Sequence, residues 1–108
     1  MPNNHRGEIE AELGGERRTL VLTLGALAEL ESAFGVGDLM ALAERFGSGR
    51  VSARDLIRII GAGLRGAGAS VRDEEVAAMT VDGGASRYVL IAAELIAATF
   101  DDAQARAP

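Results

Sequence analysis

Leu20-Val21-Leu22-Thr23-Leu24-Gly25-Ala26-Leu27-Ala28-Glu29-Leu30-Glu31 changes its apolar period within four residues. Leu20 and Leu22 alternate with Val21 and Thr23, a two-residue period that predicts a strand. From Leu24 the apolar residues recur at Leu24, Leu27, Leu30 and Phe34, a spacing that predicts one face of a helix turned inward. Thr23 stands at the joint, where its hydroxyl can accept from an orphan N–H of the first helical turn. A strand that runs straight into a helix sets the angle between a sheet and the layer covering it.

Upstream, Gly7 to Leu13 alternates again, with Ile9, Ala11 and Leu13 on one side and Glu8, Glu10 and Glu12 on the other. Gly14-Gly15 follows, a pair that accepts positive φ and suits a two-residue hairpin loop. Folding there places Ile9 opposite Leu20 and Gly7 opposite Leu22 on a buried face. Glu12 then meets Arg17, and Glu10 meets Thr19, on the wet face. Apolar and opposite-charge pairs both match in this register, and a one-residue slip would invert every side chain.

Downstream the period stays helical. The first helix ends at Gly35, a good residue for a left-handed cap. Asp38 is placed to cap a short second helix through Phe46, with Leu39, Leu42 and Phe46 inward. Ser52-Ala-Arg-Asp55 reads as an acidic capping box, flanked by Val51 and Leu56 as a hydrophobic staple. The third helix carries Leu56, Ile57, Ile59, Ile60 and Leu64 to about Arg65. It is apolar around more than half its circumference, so it should lie at the centre. Val71 to Met79 predicts a fourth, short helix with Asp73-Glu74-Glu75 at its positive end. Ser86 to about Phe100 predicts a fifth, with Val89, Ala92, Ala93, Ile96 and Phe100 on one face and Tyr88, Ile91 and Leu95 beside it. The expected fold is α+β: an N-terminal β-hairpin packed against a bundle of four to five short helices. One domain spans residues 1–108, with an ordered core of about 7–100 and polar tails at 1–6 and 101–108.

Composition narrows the function. The core must be built from Leu, Ile, Val and Ala, because the chain has one Tyr and three Phe. With 16 acidic residues against 11 basic ones, the net charge of −5 argues against a nucleic-acid backbone as partner. No cysteine is present, so thiol chemistry, disulfides and a cysteine zinc site are excluded. No apolar run approaches the roughly 18 residues of a membrane span, and the N-terminus has no apolar signal core. A cytoplasmic protein with no membrane or nucleic-acid partner is expected.

Three patterns have the outline of chemistry. Gly61-Ala-Gly63-Leu-Arg-Gly66 matches the dinucleotide fingerprint, with Asp82 about 20 residues on. The fingerprint requires a strand before it and a helix opening at it, whereas here a capping box and a helical period precede it. A glycine-rich helix end is the better account. Asp73-Glu74-Glu75 and Asp101-Asp102 point in different directions along a helix and make a poor chelate for a hard cation. Ser48, Ser52, Ser70 and Ser86 lie at helix connections, none in a nucleophile elbow, and the single His5 is near the chain start. No catalytic, cofactor or metal residues emerge, and an enzyme is not expected.

Several stretches resemble a known family. They are Asn4-His5-Arg6-Gly7-Glu8, the hairpin entering Leu22 to Leu30, Ala43-Glu-Arg-Phe46, Val51-Ser-Ala-Arg-Asp-Leu56 and Ala62-Gly-Leu-Arg-Gly66. Together they resemble a small protein of the gene transfer agent tail-gene cluster, related to phage tail assembly chaperones. The resemblance implies a non-enzymatic role in building a phage-like tail. It also implies the tape measure protein and the tail tube protein as partners, with self-association as a further option. One hairpin is too little sheet for a subunit of the tube itself. The competing classes are a small acidic regulatory or interaction module and a ligand-binding protein using the glycine-rich helix end.

A chaperone of this type would require a shallow apolar groove that releases its client without ATP. The short second and fourth helices, flanking the third, offer Leu39, Met40, Val76 and Met79 as candidate contacts. Methionine adapts to irregular partners. Arg54 and Arg58, four apart on the third helix, are placed to steer acidic client residues.

Overall fold

The computed structural model describes residues 7–48 and 50–105. Strand β1 (Ile9–Leu13) pairs antiparallel with β2 (Glu16–Leu20), and five helices follow: α1 (Leu24–Phe34), α2 (Leu39–Gly47), α3 (Ala53–Gly66), α4 (Asp73–Ala77) and α5 (Gly84–Ala105). The α+β architecture expected from the periods is the one found. The expectation for residues 1–6 falls outside the described residues.

Gly14 and Gly15 both have positive φ, 62° and 84°, so the hairpin closes in the turn that matches the twist of its strands. Ile9 pairs with Leu20, Glu10 with Thr19 and Glu12 with Arg17, the register the alternation predicts. The ion pair is different. Arg17 reaches diagonally to Glu10, at 2.7 Å, rather than to Glu12 directly opposite. Strand twist brings diagonal neighbours within reach of a long side chain. Ile9, Ala11, Leu13 and Leu20 form the buried face, and Arg18 lies along its edge with Nε donating to the Leu13 carbonyl.

Thr23 caps α1 by accepting from the Ala26 N–H at 3.0 Å, and Gly35 ends it in the left-handed conformation. Thr23→Ala should therefore destabilise the protein by about 1 kcal/mol, read as a lower urea midpoint at unchanged slope. Asp38 caps α2 through the Ala41 N–H. Ser52 and Asp55 form the complete capping box of α3.

Helix α3 is the centre, packed by β2, α1, α4 and α5. Its fully buried run is Ile59 to Leu64, and two glycines make the close approach possible. The Val21 N–H donates to the Gly63 carbonyl at 3.0 Å. A Cβ at Gly63 would stand 2.7 Å from Leu95 Cδ2, and one at Gly66 would enter the Val21 carbonyl oxygen. The glycines of the would-be nucleotide fingerprint thus sit inside a helix and admit a strand end and a leucine.

Four expectations require correction. Leu24 is 79% exposed, because the inward stripe of α1 is Ala26, Leu27 and Leu30, and Leu24 lies at its open first turn. Leu39, at the corresponding position of α2, is also exposed, leaving Leu42 and Phe46 inward. The core face of α5 is Ile91, Ala92 and Leu95, with Tyr88 beside them; Val89 and Ala93 lie outside it. Finally, α5 begins at Gly84, so Ser86 lies within it, and it continues to Ala105 instead of ending near Phe100. Its small and polar end residues carry no helix breaker before Pro108.

Candidate functional site

Helix α5 is apolar over more of its circumference than the core can cover. Ile91, Ala92 and Leu95 are buried, while Val89, Ala93, Ile96, Ala97 and Phe100 turn toward α2. There they line a groove with Ala43, Phe46, Gly47 and Val51, floored by Ile59. Its volume is about 360 Å³. The hollow exists because the facing positions are small: Ala43 and Gly47 on α2, Ala93 and Ala97 on α5. Every lining residue is apolar or glycine, so the groove offers contact area and little directional chemistry.

The α2 wall is held from behind. Arg45 stacks over Phe34, 5.4 Å from the ring centre, and Phe34 meets Phe46 edge to face at 5.3 Å. Arg45 also bonds to Asp55 at 3.1 Å and to the Arg50 carbonyl at 3.0 Å. Asp55, almost wholly buried, accepts from both Arg45 and the Ser52 N–H. One carboxylate therefore fixes the start of α3 and the end of α2 together.

A second, smaller hollow of about 180 Å³ lies between α3, α4 and the start of α5, lined by Leu56, Ile57, Ile60, Val76, Met79 and Tyr88 among others. The Tyr88 hydroxyl donates to the Met79 carbonyl at 2.7 Å, and burial pushes its pKa above the ordinary phenol value. At the start of α4, Arg65 is shared by Glu29, Asp73 and the Val71 carbonyl. Burial works against the Arg65 charge, but these carboxylates outweigh it and raise its pKa.

The six sequence candidates do not converge on one surface. Val76 is buried in the core and Met79 is half-buried, and both line the smaller hollow. Met40 is 77% exposed, and neither it nor Leu39 lines either hollow. Arg54 is exposed and Arg58 half-buried; neither forms an ion pair among the described residues. The face of α5 expected from its period, Val89, Ala92, Ala93, Ile96 and Phe100, is the one that lines the groove; the almost continuous apolar run from Val89 to Ala93 does not reveal that only Ala92 of these is buried in the core. The excess itself was the available signal.

Among the described residues no group of three or more His, Asp or Glu side chains is arranged to hold a metal ion. Among the described residues no helix is long and apolar enough to cross a membrane.

No curated protein and no solved structure matches the chain. A family model described as "Phage tail tube protein, GTA-gp10" matches residues 6–102. That match takes in the hairpin, all of α1 to α4 and most of α5. The chain belongs to this family, that of the phage and gene transfer agent tail assembly chaperones, which are generally non-enzymatic.

Proposed function

We propose that this protein is a non-enzymatic, cytoplasmic tail assembly chaperone that holds an apolar helical segment of the tape measure protein until tail tube subunits displace it. The observation that carries this reading is the α2–α5 groove, an open apolar surface in a family whose members act in tail building. A groove of small residues takes the ridge of a client helix through many modest contacts, and such contacts are released by competition without ATP. The description of the family as a tube protein suggests a second reading, a subunit of the tube itself. The two-stranded sheet favours the chaperone, since a ring of subunits requires more strands than one hairpin supplies.

Ala43 is half-buried on the α2 wall, where a longer side chain extends into the groove. Ala43→Glu should leave the fold intact and weaken binding of the tape measure protein at least tenfold, a loss of about 1.4 kcal/mol, read as a lower soluble yield of co-expressed tape measure protein. Met40→Ser tests the earlier candidate surface. Unchanged protection by Ala43→Glu together with lost protection by Met40→Ser would move the client site to the outer face of α2.

A further inference from the structure

Outside the groove, α5 carries a stripe that the core does not use. Arg87, Leu90 and Glu94 stand three and four residues apart, so they share one face of the helix. All three are exposed, Leu90 at 59%. Neither Arg87 nor Glu94 forms an ion pair among the described residues, so both charges remain available to a partner. A positive charge, an apolar side chain and a negative charge in that order are self-complementary when the helix is reversed.

We propose that this stripe is the contact between two copies of the chain, which pair α5 against α5 in antiparallel about a two-fold axis beside Leu90. Arg87 then meets Glu94 of the partner subunit, and Glu94 meets Arg87 of the partner subunit. Leu90 packs against Leu90 of the partner subunit between them. The offsets agree: at a rise of about 1.5 Å per residue, Arg87 and Glu94 lie about 4.5 Å and 6 Å from Leu90 along the axis, on opposite sides. An isologous contact requires such a self-complementary patch. Val89, 41% exposed, extends the apolar part toward the groove. The inference goes beyond the client reading and does not rest on it.

The test is sedimentation of the full chain across a concentration series, with circular dichroism to confirm folding. The parent chain should sediment as a dimer that dissociates on dilution. Arg87→Glu and Glu94→Arg should each be folded monomers, because each places like charges face to face twice. A 1:1 mixture of these two variants should dimerise, since every facing pair is then opposite in charge. A parent that stays monomeric at all concentrations would overturn the proposal, as would single reversals that still dimerise. So would a mixture that remains monomeric, because the contact would then not be Arg87 with Glu94. Leu90→Asp, which leaves the charges alone, should also give a folded monomer.

Discussion

Gly66→Ala is expected to be among the most damaging single-methyl additions in the protein, with Gly63→Ala close behind. Elsewhere in a helix the change from glycine to alanine is favourable by up to about 1 kcal/mol. At Gly66 the new Cβ meets the carbonyl oxygen of Val21, a backbone atom that cannot rotate away. At Gly63 it meets Leu95 and Leu20, both completely buried. Moving β2 off α3 also weakens the bond from the Val21 N–H to the Gly63 carbonyl. Overpacking of about 1–3 kcal/mol and about 1 kcal/mol for the hydrogen bond together give about 2–4 kcal/mol. At roughly 4–8 °C per kcal/mol for a domain near this size, the melting temperature should fall by about 8–30 °C. Gly25→Ala is the control: an added Cβ there meets only Thr23 Oγ1, at 3.8 Å, and should be neutral or mildly stabilising. Equal effects at Gly25 and Gly66 would mean that the strand end is free to move.

Asp55→Ala should have a comparable effect by a different route. It removes the acceptor of the Ser52 N–H and of Arg45 in one step. Hydrogen bonds to a charged group contribute about 1.5–3 kcal/mol each, though Arg45 is partly exposed and its share is reduced by solvent. A loss of about 2–4 kcal/mol is expected in urea unfolding. Asp55→Asn keeps the shape and one acceptor, so it should recover roughly half. Because Arg45 also braces Phe34 behind the groove, client protection should fall with Asp55→Ala even at temperatures where the protein remains folded. Full client protection by a folded Asp55→Ala protein would show that the α2 wall does not depend on this anchor.

The parts of the fold that were legible in the sequence are those decided locally. The register of the hairpin follows from alternation and a Gly-Gly turn, and the caps at Thr23, Asp38 and Ser52 from a side-chain oxygen placed before a helical period. The faces of the helices were less legible. Leu24 fits the period of α1 as well as Leu27 does, but only tertiary packing determines which turn has a neighbour. In α5 the apolar residues run nearly all the way round, so rotation about its axis is set by α3 and β1 rather than by its own pattern. The groove was hidden for the same reason. Gly63 and Gly66 read as weak points of a helix until Val21 and Leu95 were seen against them, because their value lies in atoms distant along the chain.

Strand β1 and helix α5 touch. Gly7 is backed by Ala98 and Thr99 of α5, and α5 packs on β1. During synthesis the hairpin can close as soon as its turn is made, yet one cover of its apolar face, α5, begins only at Gly84. A ribosome must therefore translate through α5 before Ile9, Ala11 and Leu13 are fully sheltered from water. A chain interrupted before Gly84 would leave that face partly uncovered, and would itself be the kind of sticky segment that chaperones attend to.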